Sequence, residues 1–310
     1  MKVLTTLAEG RYFLGAAALI NSVVHHGTYI DKIVIGYRDE LPKWLPELKP
    51  TANGHQFSLS MGVPVELIEM AGSLHMVHEK PNWFRYLMEE LEPAAEEFFF
   101  FDSDIIVNAR MSFFGEWVQQ GVAVCGDINY VFSRRHPIRI QWAKLAETEG
   151  QLVKNTYDQY YNSGFLGWRR EHNEFITDWN NAFQLLAPHS GGMKQFRVKD
   201  RTEMVLSANQ DSLNVAMMIT EVPTSTIGPE AMGFEYGLQL MHHPLGPKPW
   251  NRNFFLDFFK GMPPRQADIK YWENVNGPEF KPVKKHKVIW NILVCKAFRF
   301  LGRFYRKYGG

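Results

Sequence analysis

Residues 98–107 read FFFFDSDIIV, and no other stretch restricts the fold of this chain so strongly. Four consecutive phenylalanines lead into Asp102 and Asp104, and Ile105, Ile106 and Val107 follow. The apolar run is that of a strand buried on both faces. An ionised carboxylate there is costly unless a cation or a set of donors compensates it. As positions i and i+2 of a strand, the two aspartates are expected on one face. Such a pair suits a hard divalent cation, Mn²⁺ or Mg²⁺, which takes oxygen ligands and shares them with a substrate phosphate. The ordinary alternative is a solvated turn after a strand, which the phenylalanines disfavour. Carboxylates flanking a glycosidic bond need a gap of about 5 Å or more, which adjacent positions on one face do not offer. A phosphatase-type aspartate pair would be expected near the chain start.

With 310 residues, 45% of them hydrophobic, the chain can bury a large core. Cys125 and Cys295 are the only cysteines, so no disulfide framework or cysteine metal site is expected, and a reducing compartment fits. The opening MKVLTTLAEG has no apolar signal-peptide core, which predicts a cytoplasmic protein. The net charge of +1 conceals an asymmetry: nine of the 34 basic residues fall in residues 281–310, which contain no acid. The body is therefore acidic and the tail basic. A basic end suggests an attachment device, and nucleic acid is not expected as a partner.

Along the chain, Lys2 to Ala8, Asp31 to Tyr37, Val63 to Met70, Phe98 to Val107 and Val122 to Gly126 read as strands. Phe13 to His26 and Asn82 to Leu91, with Asn82 as cap, read as helices. The alternation predicts an α/β sandwich, in which ligands collect at the carboxyl ends of the strands. Further on, Tyr160 to Trp168 and Phe234 to Met241 read as strands, and Glu171 to Leu186 and Asp211 to Met218 as helices. Beyond Trp250 the chain is rich in proline and glycine.

Three more motifs carry chemistry. In MHHPLGPKPW (241–250), histidine suits Mn²⁺, Gly246 permits close backbone approach to a phosphate, and Lys248 can neutralise a diphosphate. A proline-rich loop with incidental histidines is the alternative. In YYNSGFLGW (160–168), Asn162 and Ser163 precede a glycine at a strand start, as a buried turn also would. SANQDSLN (207–214) can be an N-capped helix, with Asn209 as cap and Asp211 in its first turn.

In this order and at these separations the four motifs resemble the glycogenin-like and bacterial lipopolysaccharide glycosyltransferases, a family-eight-like group of retaining enzymes with the GT-A fold. The likeness runs from TTLAEGRY near the N-terminus to KPW at 250. It implies a single Rossmann-like GT-A nucleotide-diphospho-sugar transferase domain with a mixed central sheet over residues 1–262, and a C-terminal extension over 263–310. It also implies a UDP-sugar donor and Mn²⁺ or Mg²⁺ held by Asp102, Asp104 and one histidine. Counting to Gly246 nominates His243, and counting to Lys248 nominates His242. Tyr12 would stack on uracil and Glu9 contact the base. Arg85, seventeen residues before Asp102, would contact the donor, together with Ser103, Asn209, Asp211, Gly246 and Lys248. Asn162, Gln210 and Asp127 would stand near the reacting anomeric carbon. The family's DQD reads Asn209-Gln210-Asp211, an amide where a carboxylate commonly contacts sugar hydroxyls, so donor identity stays open. A catalytically silent sugar-nucleotide or glycan-binding module on the same fold is the alternative. A nucleotidyltransferase would need a better glycine-rich loop than AEGRYFLG.

As a helix, the tail places Trp290, Leu293, Val294, Ala297, Phe298, Leu301 and Phe304 at helical spacing, with Lys296, Arg299, Arg303 and Arg306 on another face. Residues 284–308 therefore suit an anionic membrane surface, compatible with a glycan or lipid-linked acceptor and a peripheral position on the cytoplasmic face. Val288 to Cys295 is too short an apolar run to span a bilayer. The alternative is a terminal helix packed on the acidic body.

Overall fold

A computed structural model describes all residues except Thr28, Val131, 191–201 and 305–310. Arg306 and Lys307 of the basic tail lie outside the described residues. The first half contains β1 (Lys2–Glu9), α1 (Phe13–His25), β2 (Lys32–Arg38), β3 (Lys49–Thr51), β4 (Gly54–Ser58), β5 (Pro64–Glu69), α2 (Lys80–Tyr86) and β6 (Glu97–Phe101). It continues with β7 (Ile106–Val107), α3 (Met111–Val118), β8 (Val122–Gly126), α4 (Pro137–Thr148) and β9 (Tyr161–Arg169). After these come α5 (Glu174–Leu186), α6 (Ala208–Ile219), β10 (Thr224–Ile227), β11 (Met241–His242), α7 (Phe254–Phe259), α8 (Gln266–Asn274) and α9 (Lys285–Leu301).

The main sheet is mixed, in the order β10-β8-β9-β6-β1-β2-β5-β4-β3. β1 runs parallel to both β2 and β6, and β9 lies antiparallel between β6 and β8. The four phenylalanines of β6 explain its central place. Phe98 and Phe100 enter the core on one face, where Phe98 stacks on Trp168 at 4.9 Å and Phe100 meets Phe84 of α2 at 4.8 Å. Phe99 and Phe101 enter the opposite core, where Phe101 meets Phe165 at 5.0 Å and Phe114 of α3 at 5.5 Å. Burying each ring is worth roughly 1.5–3 kcal/mol, so this strand can carry charged groups at its end.

The strand stops at Phe101, earlier than its apolar pattern suggests. Asp102 donates its backbone N–H to Gly164 O at 2.7 Å, and Ile105 N–H closes a turn onto Asp102 O at 2.9 Å. The two aspartates are thus brought together by a turn and not by strand alternation. Ile106 and Val107 form β7, which pairs antiparallel with β11 in a separate two-stranded sheet.

Several other boundaries shift for physical reasons. Asn82 lies inside α2 and does not cap it, because a 3-10 turn over Met76–Glu79 and Pro81 near the helix start open it earlier. The side chain of Asn82 instead accepts from Asn180 Nδ2 at 3.0 Å. Asn209 is likewise inside α6, whose N-cap is Ser207. Residues 234–240 are not a strand; only Met241 and His242 are, and Gly237 at φ +143 breaks the extended run. The β3–β4 hairpin, α3, α4, β10, α7 and α8 lie outside the elements read from the sequence. Asn21 of α1 ties the C-terminal region down: its Nδ2 donates to Asn274 O and Phe280 O, both at 3.0 Å, and its Oδ1 accepts from Phe280 N at 3.0 Å. Residues on both sides of position 262, among them Ala18, Trp250, Trp272 and Cys295, share one apolar cluster.

Candidate active site

At the carboxyl end of β6, Asp102, Asp104 and His243 form a cluster whose ligand atoms all lie within 4.8 Å of one another. His243 Nε2 is 3.8 Å from Asp102 Oδ2 and 3.5 Å from Asp104 Oδ1. The β7–β11 pairing carries His243 to the aspartate turn, because Ile106 follows that turn and pairs with His242. Consecutive strand residues point oppositely. His242 therefore faces away, 1% exposed, with its ring against Gly233, and is not part of the cluster. Two glycines make room. A Cβ on Gly164 would sit 2.7 Å from His243 Cε1, and one on Gly15 would sit 2.5 Å from Ser103 O.

The cluster is charge-compensated. Lys80 Nζ is 2.7 Å from Asp102 Oδ1, and Lys248 Nζ donates to Asp104 Oδ2. Burial alone would raise the pKa of Asp104, but the charge and hydrogen bond of Lys248 hold it below the usual carboxylate value. Burial alone would lower that of Lys248, but the Asp104 carboxylate holds it above the ordinary lysine value. For His243 burial outweighs the two carboxylates and pushes the pKa down, leaving a neutral imidazole with a lone pair. Two carboxylates and one neutral imidazole fit a divalent cation of the Mn²⁺ type.

The cluster opens into a cavity of about 460 Å³. Glu9, the last residue of β1, and Tyr12, just beyond it, contribute to the wall, and Tyr12 meets Trp250 edge-on at 5.4 Å. Ser103, Gly246 and Lys248 line the same space. Gly246 adopts φ +71, a left-handed conformation that favours glycine in this loop. Arg265 holds the loop from behind, donating to Leu245 O and, at 2.7 Å, to Pro247 O, while pairing with the buried Asp268.

The opposite wall is a hydrogen-bonded network. Asp127 Oδ2 accepts from Asn162 Nδ2 and, at 3.2 Å, from Gln210 Nε2. Gln210 Oε1 accepts from Ser163 N at 3.3 Å, and Asn162 Oδ1 from Gly164 N at 2.8 Å. Asn209 also lines the cavity; it is 2% exposed, and its Nδ2 has no protein partner among the described residues. A buried amide donor without a partner is costly, and here it borders the open space.

Arg85 and Asp211 stand elsewhere. Arg85 is exposed, pairs with Glu89 at 3.5 Å and borders a separate depression with Asn82 and Tyr86. Asp211 is fully buried: its Oδ2 accepts from Leu206 N and Ser207 N at 2.7 Å each, which fixes the start of α6. The cation that α2 does bring to the cavity is Lys80, 2% exposed, which also donates to Ser163 O at 2.8 Å. Its signal was present in the sequence. Lys80 shares the spacing i, i+3, i+4, i+7 with the buried Trp83, Phe84 and Leu87, and a lysine on an apolar helix face needs an acidic partner.

No protein-family model matches the sequence, and no curated protein sequence matches it significantly. Among solved structures, the glycosyltransferase GlyE of Streptococcus pneumoniae TIGR4 is similar at 14% identity and a TM-score of 0.50, over 96% of this chain and 64% of that one. The galactosyltransferase LgtC, in complex with donor and acceptor sugar analogs, is similar at 13% identity and a TM-score of 0.53, over 92% of this chain and 98% of that one. The chain thus spans 64% of the length of GlyE and nearly all of LgtC. The likeness is one of fold, and the mixed α/β architecture is GT-A-like.

Proposed function

We propose that the protein is a glycosyltransferase that moves a sugar, with retention, from a UDP-sugar to a glycan or lipid-linked acceptor. The observation that carries this reading is the Asp102, Asp104 and His243 cluster beside Lys248, at the carboxyl end of β6 on a GT-A-like fold. In it, Asp102, Asp104 and His243 hold Mn²⁺ or Mg²⁺, which when bound offsets negative charge on the diphosphate.

The remaining roles fall to this chain's side chains. Lys248 swings from Asp104 towards the diphosphate and neutralises charge that builds on the leaving UDP. Tyr12 offers a ring face to the uracil, Glu9 contacts the base, and Ser103 and Gly246 line the path of the phosphates. The Asn209 Nδ2, without a protein partner among the described residues, donates to a sugar hydroxyl where a carboxylate would accept. Asp127, Asn162 and Gln210 orient the sugar, and the acceptor hydroxyl attacks the anomeric carbon from the side on which the phosphate departs, its proton passing to the departing phosphate oxygen as the sugar–phosphate bond breaks.

The test is UDP release from a panel of UDP-sugars with Mn²⁺, Mg²⁺ or chelator, alongside calorimetric titration of UDP. Metal-dependent binding and release, both lost in Asp104→Ala, are expected. UDP binding without release on any acceptor would instead favour a silent binding module. No UDP binding with or without metal would remove the reading altogether.

A further inference from the structure

Helix α9 docks on the body through a narrow seam. Val288 and Cys295, seven residues apart, are buried in one apolar cluster with Ile269, Tyr271 and Trp272 of α8. Phe298 stacks on Phe258 of α7 at 4.6 Å. Most of the apolar face picked out by sequence periodicity is left uncovered. Trp290 is 66% exposed, Leu293 60% and Phe304 76%, and Ile289, Phe300 and Leu301 are exposed beside them. Packing of the helix on the body therefore does not account for its aromatic face.

α7 extends the same surface. Phe255, Leu256 and Phe259 are exposed, and Phe255 lies 5.1 Å from Phe259 and 5.6 Å from Phe298. Solitary exposed apolar residues need no explanation, but a contiguous group of this kind marks an interaction surface. Its surroundings are basic. Lys284, Lys285 and Lys287 stand at the start of α9, Lys296, Arg299 and Arg303 follow, and no acidic residue occurs from Lys281 to Phe304. Glu273 of α8 neutralises one of them, pairing with Lys296 at 2.8 Å.

We infer that the α7–α9 surface is a docking face for an anionic lipid bilayer. Exposed tryptophan, phenylalanine and leucine flanked by lysine and arginine are the composition of a helix that lies in a membrane interface. A second copy of the chain would bring two lysine-rich surfaces together, and like charges across an interface oppose association. No described helix is long and apolar enough to cross a membrane, so the contact is in the plane of the surface. Trp250 of the 241–250 loop and Phe254 of α7 belong to the same apolar cluster as Val288 and Cys295, so α9 is packed against the segment that also carries His243 and Lys248. The inference stands whether or not the protein transfers sugar.

The test is sedimentation of the full chain with vesicles of equimolar phosphatidylglycerol and phosphatidylcholine, compared with phosphatidylcholine alone. Binding to the anionic vesicles is expected, with a preference that weakens as salt is raised. Trp290→Ser with Leu293→Ser weakens partitioning at least tenfold and leaves the melting temperature unchanged, because both side chains are already exposed. Each of Lys284→Gln, Lys285→Gln and Lys287→Gln weakens it by about fivefold. Equal binding to neutral vesicles, or undiminished binding by the Trp290/Leu293 pair, overturns the inference. A concentration-dependent dimer in sedimentation velocity that this pair abolishes, without vesicle binding, assigns the face to a second copy and overturns it equally.

Discussion

The Lys80 ammonium lies 2.7 Å from Asp102 Oδ1, so each aspartate of the turn has its own lysine: Lys80 on Asp102 and Lys248 on Asp104. Here is the compensation that two carboxylates at the end of a phenylalanine strand require. The two lysines also compete with any divalent cation for the same two carboxylates. In Lys80→Met, Asp102 loses its partner while remaining only 24% exposed, and the folded state is expected to weaken by about 1–3 kcal/mol. Mn²⁺ should then bind more tightly without nucleotide than it does to the unsubstituted protein, and raise the melting temperature by more. Thermal melts with and without Mn²⁺ measure both effects. An unchanged metal response would mean that Lys80 does not compete for the site.

Gly164 tests how closely the imidazole is positioned. The alanine methyl would lie 2.7 Å from His243 Cε1 and 2.8 Å from Asn162 Oδ1, so one or both side chains must move. Because Gly164 has no positive φ, its substitution acts through space and not through backbone strain. Gly164→Ala is expected to lower Mn²⁺ affinity by about 10–100-fold, as displacing the support of a ligand does. Circular dichroism should stay that of the native fold. Electron paramagnetic resonance of added Mn²⁺ reports the affinity directly, and a wild-type titration from the variant would show that His243 is not held at its position by this contact.

What the sequence conveyed follows from where burial is strongest. β6 was legible because an unbroken aromatic run has few alternatives, and its Phe98/Phe100 and Phe99/Phe101 faces each fill a separate core. The choice between His242 and His243 was not, since it rests on the pairing of His242 with Ile106, a register between segments 136 residues apart in sequence. Arg85 had the right spacing but faces solvent, while Lys80, one and a half turns earlier, has the buried face. Arg265 gave no signal, because its bonds go to backbone oxygens of a loop about twenty residues away. The uncovered face of α9 was visible as periodicity, yet only the seam through Val288 and Cys295 shows which side the body occupies.

Arg265 ties the 243–248 loop from outside it through Leu245 O and Pro247 O, and is itself held by Asp268. Arg265→Ala leaves Asp268 paired with Arg252, at 2.7 Å, so no buried charge is abandoned. The effect should therefore appear in ligand binding more than in stability: UDP affinity in the presence of Mn²⁺ falls by about tenfold, with a stability loss of about 1 kcal/mol. Arg265→Lys should recover little, since an ammonium cannot reach two carbonyls and a carboxylate in the geometry of a guanidinium. Calorimetric titration of UDP into the three proteins decides it, and equal affinities would sink the positioning role.

The two adjacent histidines offer a direct separation of structure from ligand chemistry. His242 is 1% exposed, and burial, reinforced by the Lys270 and Arg299 charges, pushes its pKa down to about 4. His242→Ala leaves a cavity and is expected to cost about 2 kcal/mol or more of stability, while metal-dependent UDP binding persists below the melting range. His243→Ala removes the only imidazole in the cluster. It should lower Mn²⁺-dependent UDP binding by at least tenfold with a smaller change in melting temperature, because Asp102 and Asp104 keep their lysines. The pair of variants thus predicts a crossing pattern, with stability lost at one position and metal dependence at the next. Loss of metal dependence in His242→Ala with retention in His243→Ala would reverse the assignment, and would place the β7–β11 register itself in error.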